Sequence, residues 1–351
     1  MKMKIILFSG YKPWATVSYF YKYLKRLYPE TVFVSYDKGT DFYLNSREIS
    51  LKRIFKEIFE PDLFIYVETD PGGGFWIDDI LDIKVKKACF LIDNHLNFRW
   101  HKNFAKVFDY VFFAQKSVFP WAEKYGIKAE WLPLACDPEI HKEWYREKEY
   151  DIVFVGHLNK ERENFFKEIE RNLKGIKIKI AEKVYLEEMA KIQSKGKIGF
   201  NMPVRKDINM RTFEVPACGS LLFSPYIMHL KEVFDKKEIV IYKNKREVFE
   251  KIEYYLTNRE EWERIRKRGM KKVKKEHTYK DRVLKFMEKI RKEEERKKSN
   301  FDFYYLTFKK PFKKYRKLGY FFKILKIGIL IKNLYLEMME RIRKKIGKFP
   351  Y

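Results

Sequence analysis

The sequence predicts an α/β protein made of two successive doubly wound parallel sheets, followed by a basic helical tail. Three observations carry this. Short, nearly continuous apolar runs alternate with amphipathic stretches, which is the pattern of strands buried on both faces and separated by helices. The pattern restarts near the middle of the chain. The length of 351 residues suits two cores of roughly 150 residues each plus an extension.

In the first half, strands are expected over residues 4–8, 31–35, 62–67, 88–92, 109–113 and 129–132, with helices over 16–27 and 51–59 between them. In the second half they are expected over 151–155, 176–180, 197–200, 220–223 and 239–242. The joint falls in the polar stretch 138–149. The predicted domains are therefore residues 1–140, 141–298 and a tail from 299 to 351. Long charged helices should fill 259–298, the last starting at His277 or Thr278.

Composition narrows the class. Apolar residues make up 46% of the chain, which excludes a disordered protein. The net charge of +27 implies an acidic partner such as nucleic acid, anionic lipid or a phosphorylated substrate. Cys89, Cys136 and Cys218 fit neither a zinc spacing nor a disulfide framework and read as buried free thiols in a reducing cytosol. No signal peptide precedes the first strand, so a cytoplasmic protein is expected.

Asn209–Ser224 (NMRTFEVPACGSLLFS) carries the most chemistry. Pro216 cannot lie deep in a helix, so a helix here must begin within a few residues of Thr212, and Gly219 ends it. Arg211 and Glu214 then stand at a helix N-terminus beside the C-terminal edge of a parallel sheet, where ligands bind and phosphate is favoured. An arginine there can pair bidentately with a diphosphate, and a carboxylate can accept both hydroxyls of a ribose. The plainer role for Glu214 is to complement the helix dipole.

This segment resembles the R-x-F-E-x-x-A-C-G-x-L-L block of the CgeB-like glycosyltransferases, within the group-1 GT-B enzymes. The stretches DIVFVGHLN at 151–159 followed by Arg162, WLPLACDP at 131–138, and HTYKDR at 277–282 resemble further blocks of that family in the same order. The resemblance spans roughly residues 60–290. It implies two Rossmann-like domains facing a cleft, with a nucleotide-sugar donor as substrate rather than cofactor. It also implies that Glu214 holds the ribose, and that Arg211, Arg162 and the Gly156 turn face the diphosphate, with Asn209 and Asn201 as neighbours.

The first domain should then bind the acceptor and supply any base. One candidate is Asp70 in the glycine loop 68–76 (ETDPGGGFW); the other is His95 oriented by Asp93 in the DNH at 93–95. An aspartate before proline is equally a turn residue, and a histidine at a strand end is equally structural. His157, beside Gly156, is placed to stabilise a leaving diphosphate or to sit in a surface turn. No D-x-D pair is present to hold a metal, and Asp78–Asp79 reads as a helix start.

The tail holds 14 Lys and Arg against 3 Asp and Glu over residues 301–351. Three lysines interrupt its apolar run, so it does not read as a span. A basic amphipathic helix suits an anionic membrane surface, and its apolar face suits equally well docking on the protein itself. A nucleic-acid-binding protein and an inactive sugar-nucleotide-binding relative are the alternatives. The first lacks a recognised motif, and the second is disfavoured because both Arg211 and Glu214 are present.

Overall fold

The computed structural model describes residues 3–46, 48–69, 76–77 and 79–292. The tail from 299 to 351 and Asp70 lie outside these. The first part of the chain runs β1 (Ile5–Phe8), α1 (Thr16–Leu27), β2 (Thr31–Ser35), β3 (Phe42–Tyr43), β4 (Glu48–Ile49), α2 (Leu51–Glu57), β5 (Leu63–Val67), β6 (Trp76–Ile77), β7 (Lys86–Leu91), α3 (Asn94–Phe104), β8 (Tyr110–Phe113), α4 (Phe119–Lys124) and β9 (Glu130–Trp131). The second part runs β10 (Tyr150–Val155), α5 (Lys160–Asn172), β11 (Ile178–Ala181), α6 (Leu186–Ser194), β12 (Gly196–Phe200), α7 (Arg211–Ala217), β13 (Leu221–Pro225), β14 (Val240–Tyr242), α8 (Lys245–Thr257), α9 (Arg259–Glu276) and α10 (Tyr279–Lys292).

Two parallel sheets result. The first has seven strands in the order β3-β2-β1-β5-β7-β8-β9, and the second five in the order β11-β10-β12-β13-β14. The inner strands are fully buried because helices cover both faces; β1, β5 and β8 expose none of their residues. The paired two-residue strands β4 and β6, and the edge strand β3, are too short to show in the hydrophobic pattern. All three cysteines are buried free thiols.

One expectation fails. Asp79 does not start a helix. It is buried in a turn and accepts hydrogen bonds from Leu51 N (2.8 Å), Lys52 N (2.9 Å) and Ser50 Oγ (2.7 Å). It thus caps α2, satisfying the free N–H groups of a helix nearly thirty residues earlier.

The chain crosses back at its end. Thr278 and Asp281 form reciprocal bonds (Asp281 N to Thr278 Oγ1, 3.2 Å; Thr278 N to Asp281 Oδ2, 2.9 Å) that start α10. This helix lies on α1 of the first sheet's layer, with Phe286 edge-on to Phe20 at 5.2 Å and against Phe112 at 4.2 Å. Arg282, fully buried, fixes the crossing. It donates to Pro133 O (2.7 Å), Leu134 O (3.1 Å) and Glu276 O (3.1 Å). Burial pulls its pKa down to about 10, so it stays cationic at neutral pH. Replacing Arg282 by Met strands several buried carbonyls. Arg282→Met should lower unfolding free energy by about 3 kcal/mol in urea titrations.

Candidate functional site

In each sheet the strand order reverses at one point, between β1 and β5 in the first and between β10 and β12 in the second. Loops leaving the C-terminal ends of strands at such points form a crevice. Here the two crevices open into one cavity of about 590 Å³, lined from both sheets.

On the second sheet's side, α7 begins at Arg211 and tolerates Pro216 because it is only seven residues long. Gly219 closes it at a φ of +81° that favours glycine. Arg211 donates Nε to Val155 O (3.0 Å) and lies over the Phe154 ring. Its terminal nitrogens have no partner among the described residues, and the side chain lines the cavity. Gly156, at a φ of +152°, makes room for it, since a side-chain carbon there would collide with the guanidinium. Burial lowers the Arg211 pKa to about 10, and Glu214 opposes that shift.

Glu214 stands three residues on, on the same face of α7. Burial pushes its carboxyl up to about 7, and Arg211 pulls it back. His141 approaches from the inter-sheet segment, its Nε2 3.5 Å from Glu214 Oε1. His141 Nδ1 accepts from Asp137 N (2.9 Å), so the proton of the neutral ring sits on Nε2, the nitrogen nearer Glu214. Burial keeps this ring neutral by lowering its pKa to about 4.

The other expected donor residues are placed more variously. Arg162 lines the cavity, but its guanidinium donates to His157 O (2.6 Å) and to Met202 O, so it braces two loops. Two of the turn's own donors are also taken, Gly156 N by Ala181 O and Leu158 N by the Glu182 carboxylate. His157 is 83% exposed at the rim, 3.1 Å from Glu182. Asn209 lines the cavity with a buried Oδ1 that has no hydrogen-bond partner among the described residues. Asn201 lies behind it, donating to Thr212 Oγ1 (3.1 Å).

On the first sheet's side, Glu68 follows β5 and organises the start of α3. It accepts from Ile92 N (2.7 Å), Asp93 N (2.8 Å), Asn97 Nδ2 (3.0 Å) and the His101 ring (2.9 Å). Asp93 and His95 both line the cavity. Burial, then the Glu68 and Asp207 carboxylates, push Asp93 up to about 7. The carboxylate beside His95 is Asp207, 3.8 Å away and supplied by the second sheet. Burial lowers the His95 pKa, and Asp207 opposes that. Among the described residues no group of three His, Cys, Asp or Glu side chains can hold a metal ion.

Sequence reasoning did not single out Asp207, His141 or the loop after β1. Asp207 and His141 sit in irregular segments with no periodicity to mark them. The β1 loop was findable, because it leaves a strand at the reversal point. It brings Lys12 and Trp14 to the cavity, where Trp14 stacks on Tyr185 across it, with ring centroids 4.1 Å apart at 19°. Tyr185 caps α6 at the end of a tight turn, with positive φ at Lys183 before it and at Leu186, the first helical residue, after it.

The raised Asp93 carboxyl has a measurable sign. It holds a proton more tightly folded than unfolded, so its contribution to stability is present near pH 4 and lost as pH rises through 7. Asp93→Asn should therefore gain stability relative to the parent as pH goes from 5 to 8. Parallel denaturation curves across that range would show it.

Comparison with known proteins follows the same lines. Residues 139–288 match the family model described as glycosyl transferase-like. No curated protein sequence matches the chain. Among solved structures, a glycosyltransferase from Rickettsia africae has a TM-score of 0.61 at 13% identity, covering 84% of this chain and 100% of that one. An alpha-glucosyltransferase solved with UDP-glucose and DNA containing an abasic site has a TM-score of 0.60 at 12% identity, covering 83% and 100%. HepE of Anabaena, solved with UDP and glucose, has a TM-score of 0.59 at 11% identity, with the same coverage. The chain thus has the fold of the GT-B glycosyltransferases, and its segment 139–288 matches a glycosyl transferase-like family model.

Proposed function

We propose that this protein moves a glycosyl group, of the hexosyl type, from a nucleoside-diphosphate sugar to an acceptor hydroxyl, without a metal, as a CgeB-like enzyme of the cytoplasmic side. The observation that carries this is Arg211, whose terminal nitrogens line the cavity without a hydrogen-bond partner among the described residues, with Glu214 beside it. A diphosphate supplies the anion that this guanidinium lacks, and a ribose supplies the donors that a desolvated carboxylate needs. That two relatives of the same fold were solved with UDP or UDP-glucose supports a nucleotide-sugar donor.

In this reading the acceptor oxygen bonds to the anomeric carbon as the bond to the diphosphate breaks. The acceptor proton passes to a carboxylate on the first sheet's side, for which Asp93 is best poised because its pKa is near neutrality. The departing diphosphate is met by Arg211, so no metal is required. A lipid-linked or cell-surface glycan precursor would suit the basic tail, which would hold the enzyme at an anionic membrane; sedimentation of the full chain with anionic and neutral vesicles tests that part. Among the described residues, no helix is long and apolar enough to cross a membrane.

Calorimetric titration with UDP tests the donor site. Arg211→Ala should weaken binding by about 30-fold or more, consistent with losing a charge-assisted partner in a desolvated cleft. Gly156→Ala should act in the same direction by displacing that guanidinium. Glu214→Gln should remove the rise in affinity expected between pH 6 and 8, because ribose hydroxyls favour the ionised carboxyl. Parent-like binding in all three would move the donor elsewhere. UDP-glucose turnover should persist in EDTA, and loss of activity restored by manganese or magnesium would overturn the metal-free reading.

A further inference from the structure

The segment between β12 and α7 carries Asp207 and Asn209 to the cavity, yet it is held by the first sheet. The contact is made by Gln115, which follows β8 and is 4% exposed. Its side-chain amide pairs with the backbone of Ile208 in both directions. Nε2 donates to Ile208 O (3.1 Å) and Oε1 accepts from Ile208 N (3.0 Å). The backbone of Gln115 is itself paired in both directions with the side-chain amide of Asn94, the first residue of α3. Asn94 Nδ2 donates to Gln115 O (2.9 Å) and Asn94 Oδ1 accepts from Gln115 N (3.1 Å). Asn94 is fully buried.

These four bonds run in series from α3 to the β12–α7 segment. Asn94 is flanked by Asp93 and His95, and Ile208 by Asp207 and Asn209; all four flanking residues line the cavity. Ile208 itself is buried in the core, so its neighbours face the other way, as in an extended strand. The series therefore sets the spacing between reactive groups of the two sheets, and His95 and Asp207 meet across it. We infer that Gln115 is a positioning residue, whose amide registers the donor-side segment of the second sheet against the acceptor-side groups of α3. This rests on the glycosyl-transfer reading above for its catalytic consequence, and on geometry alone for its mechanical one.

A primary amide suits the task because it offers one donor and one acceptor in a plane, matching one residue's C=O and N–H. A glutamate at this position would set a carboxylate oxygen against Ile208 O, and a methionine would fill the volume while leaving both backbone groups unpaired. Asn209 belongs to the segment, but Arg211 and Glu214 lie past it on α7, so nucleotide binding should fall far less than transfer. Misplacement of reacting groups by about 1 Å costs roughly 100-fold in rate.

The test compares the full-length parent, Gln115→Met and Gln115→Glu. Three measurements are made: UDP affinity by calorimetry, UDP-glucose turnover at saturating donor, and amide hydrogen exchange at residues 206–209. For Gln115→Met, the expected result is UDP affinity within about threefold of the parent, turnover lower by about 30-fold or more, and exchange at Ile208 faster by about tenfold. For Gln115→Glu the same losses are expected. A fourth measurement is independent of any nucleotide: Asp207→Asn should shift the His95 titration, followed by NMR, in the parent but not in the Gln115→Met background. If UDP affinity, turnover and folded fraction fall together, Gln115 is only structural and the inference fails. Parent-like exchange and parent-like His95 coupling also overturn it. If neither parent nor variant binds UDP, the donor reading fails, while exchange and the His95 titration still decide the positioning role.

Discussion

Arg282 reaches back from α10 to the carbonyls of Pro133 and Leu134, and what the two sheets can share depends on that return. The segment after Trp131 leaves the first sheet with carbonyl groups that no strand pairs. A buried cation satisfies them, and the same helix then lays Phe286 against Phe20 and Phe112. The second sheet is thereby tethered at both its entry and its exit. Tyr279, at the start of the returning helix, stacks on Tyr19 and meets Thr16 (3.0 Å), so the tether reaches the floor of the cleft. A cavity shared by two sheets needs such constraints, and this one acts together with the Gln115–Ile208 pairing across the cleft.

The cavity divides its charges by environment. Arg211 keeps its proton despite burial because even a substantial downward shift leaves a guanidinium charged at neutral pH. Glu214 and Asp93 have no such margin, and the same desolvation brings both near the point of half-ionisation. Glu68 goes the other way. Burial is outweighed by the electrostatic interaction with the adjacent His101 and by the donors around it, which hold its carboxyl below the ordinary value. One fixed anion thus props up the proton affinity of its neighbour, and the cavity sets the permanently charged Arg211 against two poised carboxyls.

The buried strands were legible because full burial writes itself as an unbroken apolar run. The expected strands, including 31–35, and the helix 16–27 lie within a few residues of the elements observed. Gly219 and Pro216 marked the ends of α7 for the same reason, each having only one conformational use there. Arg211, Glu214 and Gly156 could be found from that local logic together with a family resemblance. Asp207, His141 and Gln115 could not, since each acts through a partner between about 70 and 110 residues away and sits in irregular backbone where spacing carries no information. Asp79 misled because an aspartate that caps a helix from afar looks, in sequence, like one that begins its own.

The stack of Trp14 on Tyr185 joins loops from opposite walls of the cavity, and both rings remain about two-fifths exposed. An aromatic pair of this kind contributes about 1 kcal/mol beyond the area it covers. Added to that area term, it leaves fewer than about one molecule in six with the rings apart at any instant. A ligand that must part the rings inherits a loss of affinity of about sixfold or more. The bridge is therefore weak enough to part thermally and strong enough to hold the two loops together in most molecules.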